Sequence, residues 1–280
     1  MHVAHTLAFD PDFDDTAWTE AWRHVPLVLV PPGVHPSGYR VVRRTMQAAD
    51  ICGRRYLLPA PFDCRLLYDP QGRLWMSNTP QELLMMYNNA RRSRGRVLIG
   101  GLGLGLYPQF AAIVGEERIA GFHVIERSAV VQAITQPVLN RVLPAPLTVT
   151  LGDIAAYLAG PPAWRYDTIF LDTWDTLDAA QLPAINRLRD QARRHLAPGG
   201  RVLLWGYRWM VRLFEDACRQ VLAVDPSERG AWLAARAADS PQALPLLTPV
   251  VERFAGDPAK DVDAALAWCR EHIVQTAAPA

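Results

Sequence analysis

Three glycines at alternate positions, Gly101, Gly103 and Gly105, stand in "RVLIGGLGLGLYPQF" between a strand-like and a helix-like run. Glycine is the residue most costly to order, so such a cluster marks a tight turn or a backbone that must come close to a ligand. The dinucleotide pattern Gly-x-Gly-x-x-Gly is not met, because Leu106 stands where its third glycine would be. That spacing instead suits a nucleoside or amino-acid moiety laid against the turn. Roughly 20 residues on, Glu126 ends the next apolar run, where a carboxylate can accept bonds from both ribose hydroxyls. Asp153 and Asp172 end the two runs after that, and Asp175 follows in "DTWD". Asp153 reads equally as an adenine contact or as a helix N-cap. For a nucleophile that must lose a proton, Asp172 or Asp175 is the best-placed general base.

Alternating strands and helices must position these groups. The strand-like runs are "RVLIG", "IAGFHVI", "LTVTL", "DTIFLD" and "RVLLWG", with helical segments expected near 108–114, 129–139, 154–158 and 179–196. Strands apolar on both faces and separated by helices imply the α/β class: a Rossmann-like open, mostly parallel sheet with helices on both faces. Each acid then falls at a strand's carboxyl end, the edge where such sheets bind ligands. Before the sheet, "YRVVRR", "RRYLL", "CRLLY" and "RLWMS" read as short strands of a small β unit, with a turn at "DPQG". "NTPQELLMMYNNARR" reads as a helix with Asn78 or Thr79 as N-cap, Pro80 in the first turn and Glu82 beside it. After "RWMVRLFEDACRQVL" the strands stop, and 228–275 reads as two or three amphipathic helices, including "DVDAALAWCREHIV". The expected organisation is a β-rich unit over 1–78, a ligand-binding domain over 79–222 and a helical extension over 223–280.

The chain has 280 residues, half of them hydrophobic, enough for a sizeable core. A net charge of +1 gives no field to draw in nucleic acid or a membrane, so neither is expected as a partner. Lys260 is the only lysine, which removes lysine as a catalytic amine. Cys52, Cys64, Cys218 and Cys269 form no Cys-x-x-Cys pair and have no histidine at zinc-ligand spacing, so no metal is expected. The first residues lack a basic start and an apolar run, and "VPLVLVPPG" is too short to span a bilayer; the reading is a cytoplasmic protein. Arg91, Arg92, Arg94 and Arg96 read as a solvated helix end, and His123 and His195 as structural. The expected partner is a small-molecule substrate, and a homodimer is left open.

The motifs "VLIGGLGLG", "HVIER", "LGDI", "YDTIFLDTWD" and "LAPGGRVLLW" together resemble the class I AdoMet-dependent methyltransferases over about residues 75–210. Within them the chain looks most like the spermidine-synthase-like branch, which has an N-terminal β unit and a D-x-x-D motif matched by Asp172 and Asp175. The resemblance implies S-adenosyl-L-methionine as cofactor. Gly101, Gly103 and Gly105 would line its methionine portion, Glu126 its ribose and Asp153 its adenine, with Asp172 beside it. There are departures. Ile99 and Gly100 stand where many members carry an acid, and Leu104 replaces the aspartate that aminopropyltransferases place in the glycine turn. Their Gln and Tyr substrate residues have no match near Trp75–Tyr87, and a helical tail replaces the usual closing hairpin. The usual strand order of this fold would bring Asp172–Asp175 beside Trp205–Trp209, giving a rim with Trp174, Trp205, Tyr207 and Trp209. Such a rim suits a basic amine or a flat aromatic nucleophile, though Trp205 and Trp209 read equally as packing. The leading reading is a methyltransferase acting on a small molecule. The alternatives are a polyamine aminopropyltransferase and an AdoMet-binding interaction protein without chemistry.

Overall fold

Short β-prone runs broken by Pro, Gly and Asp close into an antiparallel meander at the front of the chain. The computed structural model describes residues 16–239, 244–254 and 268. After a 3-10 turn at Ala21–His24 come β1 (Gly33–Val34), β2 (Arg40–Ile51), β3 (Arg54–Tyr68) and β4 (Leu74–Ser77), paired in that order. The β2–β3 hairpin turns on Cys52 and Gly53, both with positive φ (48° and 74°), the left-handed pair that matches strand twist. "RRYLL" and "CRLLY", expected as separate strands, are one strand. Leu58–Pro61 stand opposite Gln47 alone, where the register shifts between Met46 and Ala48. Pro59 and Pro61 have no N–H to give the ladder, so they fall in this bulge and the strand continues beyond them. The expected "DPQG" turn forms, with the Gly72 N–H on the Asp69 carbonyl at 3.0 Å.

Then follow α1 (Pro80–Ala90), β5 (Gly95–Gly100), α2 (Leu106–Val114), β6 (Ile119–Glu126), α3 (Ala129–Val142) and β7 (Leu147–Leu151). α4 (Ile154–Ala159), β8 (Tyr166–Leu171), α5 (Leu182–Arg193) and β9 (Leu196–Leu204) complete the alternation. The five strands form one parallel sheet in the order β7-β6-β5-β8-β9. Its central strands are apolar on both faces, with Val97, Leu98 and Ile99 at most 1% exposed, because helices cover both. Tyr107 of α2 stacks on Phe170, a register partner of Ile99; Tyr157 of α4 packs edge-on against His123, a partner of Leu98. Leu98 and Ile99 are neighbours that point to opposite faces, so α2 and α4 lie on opposite sides of the sheet. Where a single helix was expected over 179–196, a 3-10 turn at Ala179–Gln181 leads into α5, and β9 already begins at Leu196.

Contacts divide the described chain into two units, one of residues 16–175 with 191–205, the other of 176–190 with 206–254. The second contains α6 (Tyr207–Ala223), α7 (Arg229–Asp239) and α8 (Leu244–Arg253). α6 buries Tyr207, Met210, Val211, Phe214, Cys218, Val221 and Leu222, a stripe spaced three and four residues apart. Arg229, 1% exposed, ties this unit together by donating to the carbonyls of Val224, Leu222 and Phe254. Apart from Trp268, the expected helix "DVDAALAWCREHIV" lies outside the described residues. Among the described residues no helix is long and apolar enough to cross a membrane.

Candidate functional site

β5 and β8 are neighbours at the point where the strand order reverses, and ligands of open α/β sheets bind in the crevice beyond such a point. The glycine turn leaves β5 there, and Asp172 follows β8 beside it. Their backbones are joined by the Asp172 N–H on the Gly100 carbonyl at 3.0 Å.

All three glycines take positive φ (90°, 53° and 73°), but for different reasons. A side chain on Gly101 would overlap the Asp172 carbonyl oxygen. One on Gly105 would press at 2.9 Å on Thr135 and Leu139 of α3. One on Gly103 would meet nothing within 4 Å among the described residues. Two of the glycines therefore serve packing, and the third faces open space.

The turn is pinned from behind. Thr135 donates to the Gly103 carbonyl at 2.9 Å, and Gln109 to the Gly105 carbonyl at 3.0 Å. The Gly101 N–H is taken by Ile125 and the Gly105 N–H by Leu102, both at 3.0 Å. The N–H groups of Gly103 and Leu104 donate to no protein acceptor among the described residues. Backbone donors at the entry to a helix favour an anionic or polar ligand group.

Glu126, 3% exposed, accepts the Leu102 N–H on one carboxylate oxygen and the Ser128 N–H on the other, both at 2.7 Å. It thus holds the turn to the end of β6, and each oxygen keeps lone pairs for a pair of hydroxyls. Asp153 caps α4 by accepting the Ala156 N–H at 2.9 Å and is exposed. Both readings of that residue are present in its position: a cap, at a strand end that faces solvent.

Asp172 sits among acids. Burial, with the Glu126 charge, pushes its carboxyl up to about 7. Asp175 is exposed. The rings of Trp174 and Trp205 lie 6.4 Å apart at 44°, and neither indole N–H has an acceptor among the described residues. Trp205 is 5% exposed and follows β9, its backbone N–H on the Leu171 carbonyl at 3.0 Å. The structure therefore brings together Gly101, Gly103, Gly105, Glu126, Asp172 and, through β8 and β9, Trp174 and Trp205. Tyr207 and Trp209 belong to the helical unit, where the buried Tyr207 hydroxyl donates to the Asn186 side chain.

Glu82 is the residue the sequence did not single out as functional. In the first turn of α1 it reads as a dipole partner. Glu82 is half-buried, and its carboxyl is pushed up to about 8 by burial and then by the Asp172 charge. The Trp205 indole N–H holds it back slightly, from outside hydrogen-bond geometry. Asn78, weighed as a cap for α1, instead clamps β3: its side chain accepts from the Arg65 N–H and its N–H donates to the Arg65 carbonyl. His123 bonds to Tyr166 at 2.7 Å and Thr150 at 3.0 Å, and burial pushes its pKa down. Arg94 pairs with Glu117, and Arg96 stacks on Trp164.

No family model matches the chain, and no curated protein matches it. Three solved structures resemble part of it. A protein-L-isoaspartate O-methyltransferase is 21% identical with a TM-score of 0.35, over 48% of this chain and 39% of that one. A precorrin 8w decarboxylase from Methanobacterium thermoautotrophicum is 19% identical with a TM-score of 0.31, over 41% and 56%. DhpI in complex with SAH is 19% identical with a TM-score of 0.30, over 40% and 48%. The chain spans about half the length, or less, of these three solved chains.

Proposed function

We propose that this chain is an AdoMet-dependent methyltransferase whose acceptor is a small molecule, an amine or an aromatic nucleophile. The observation that carries the reading is the open face of Gly103. There, among the described residues, a left-handed glycine has nothing within 4 Å of where a methyl would stand, two N–H groups lack a protein acceptor, and a buried carboxylate lies behind the turn. The residues fit the cofactor: the N–H groups of Gly103 and Leu104 suit its carboxylate, and Glu126 keeps acceptor capacity for ribose hydroxyls. Asp153 would receive the adenine amino group on the carboxylate oxygen that does not cap α4.

When bound, the cofactor supplies an activated methyl group on a sulfonium. The chain then has to orient the acceptor and manage its proton. Asp172 stands at the switch point with a carboxyl near neutrality, so it can accept a proton at physiological pH and release it afterwards. Trp174, half-buried two residues on and tilted against the buried Trp205, offers a flat face for an aromatic or cationic acceptor.

Calorimetry with AdoMet, decarboxylated AdoMet and methylthioadenosine side by side tests the reading. Intact AdoMet should bind at least as tightly as the decarboxylated form, since Leu104 places no carboxylate in the turn. A preference for decarboxylated AdoMet, with aminopropyl transfer to a diamine, would overturn it.

A further inference from the structure

β7 ends the parallel sheet and pairs only with β6 among the described residues. Its hydrogen bonds show which of its backbone groups are already taken. The Pro146 carbonyl accepts from the Phe122 N–H at 2.8 Å, and the Gly152 N–H donates to the Glu126 carbonyl at 3.0 Å. Backbone groups alternate sides along a strand, so residues 146, 148, 150 and 152 face β6. The N–H and C=O groups of Leu147, Val149 and Leu151 therefore point to the free edge, where none has a partner among the described residues. Thr148, Thr150 and Leu151 are exposed, so no described segment covers that edge.

Such an edge is a template for another chain, and folded proteins blunt it with charge, proline, bulges or a covering element. β9, at the opposite end of the sheet, is blunted in this way. It carries Pro198, a left-handed Gly199 (φ 74°) and an irregular register against β8. β7 has none of these devices: its register against β6 is regular, and no charged residue occurs from Val142 to Gly152. The strand reads Leu147-Thr148-Val149-Thr150-Leu151, the same in both directions.

We propose that the β7 edge is a dimer interface, on which a second copy of this chain lays its own β7 antiparallel about a two-fold axis through Val149. In that register Val149 meets the partner's Val149, and Leu147 meets the partner's Leu151. Every outward-facing residue meets another, and each such pair exchanges two hydrogen bonds. An axis through any other residue leaves at least one of the three outside the pairing. The side chains agree with this register. Val149 is in line with Val124 and Ile99, on the face that α2 covers, and Leu147 and Leu151 share that face. Thr148 and Thr150 lie on the α4 face, where Thr150 bonds to His123. Pairing therefore sets leucine on leucine on one face and threonine on threonine on the other, with no like charges opposed. A two-fold contact uses the same patch on both copies and closes on itself, so the exposed edge is covered without open-ended stacking.

The test uses the full chain. Sedimentation velocity at high micromolar concentration should show a species of twice the 31.2 kDa chain mass. Val149→Pro removes an N–H that faces away from β6, so the ladder within one chain persists while the dimer loses both central bonds. Its circular dichroism should match the parent, and its dimer should dissociate at least tenfold more readily. Cysteine cross-linking reads the register. Thr148 and the partner's Thr150 would form a non-hydrogen-bonded pair with Cα atoms about 4.5 Å apart, within disulfide reach. Under mild oxidation a mixture of Thr148→Cys and Thr150→Cys chains should give a covalent dimer that neither variant forms by itself. Both positions are exposed, and the cross-link needs no weakened variant, so a misfolded Val149→Pro does not blunt the test. A parent that stays monomeric at high micromolar concentration would overturn the proposal. So would a folded Val149→Pro that dimerises as tightly as the parent, or a mixture that cross-links no better than either variant by itself.

Discussion

Alanine substitution at Gly101 and at Gly103 separates packing from ligand contact within one turn. Both residues have positive φ, so each alanine bears about 1–2 kcal/mol of left-handed strain. Removing a glycine from the unfolded chain returns roughly 0.4–1 kcal/mol. At Gly103 nothing lies within 4 Å of the added methyl, so the net loss should stay near 1 kcal/mol. At Gly101 the methyl overlaps the Asp172 carbonyl, a backbone atom that cannot rotate away, which adds about 1–3 kcal/mol. For a chain of this length each kcal/mol moves the midpoint by about 2–4 °C. Gly103→Ala should therefore melt within a few degrees of the parent, and Gly101→Ala clearly lower. Affinity should not follow stability. Gly103→Ala places its methyl where the ligand would lie, and AdoMet should bind at least tenfold more weakly, about 1.4 kcal/mol. Thermal denaturation with calorimetry reads both quantities. A folded Gly103→Ala with parental AdoMet affinity would refute the assignment of that open face to the ligand. Equal destabilisation by both alanines would refute the packing argument.

Glu126→Ala should lower both stability and AdoMet affinity, the latter by about 1–3 kcal/mol, since the carboxylate holds the turn as well as facing the ligand; denaturation and calorimetry check it. The raised carboxyls also give a pH dependence. A folded pKa above the unfolded one favours folding at low pH, and that contribution is lost as pH rises through about 7 to 8. Urea midpoints measured from pH 5 to 9 should show such a decline, shallower in Asp172→Asn. In the helical unit, Arg229→Ala strips three carbonyls of their buried donor and should cost on the order of 3 kcal/mol, read as faster amide exchange through α7 and α8.

Local pattern determines much of this chain. The parallel strands, the helices between them and the acids at strand ends follow from period and from glycine and proline placement, which act over a few residues. The meander shows where that fails. "RRYLL" and "CRLLY" are split by prolines along the sequence, yet they are one strand because the partner strand tolerates a bulge there. No local signal reports what lies across a ladder.

The same division runs through the site. That Gly101, Gly103 and Gly105 form a special turn was legible from their spacing. That Gly101 and Gly105 are glycine for packing and Gly103 for open space depends on Asp172 and on α3, tens of residues away. Tyr207 is two residues from Trp205, but Gly206 at φ 61° starts α6 between them, and Tyr207 enters a different unit. Glu82 was legible only as a first-turn acid, because helix propensity and dipole are properties of its own turn. The influence of the Asp172 charge on its carboxyl is a property of the folded chain, because charge acts through space whatever the sequence separation.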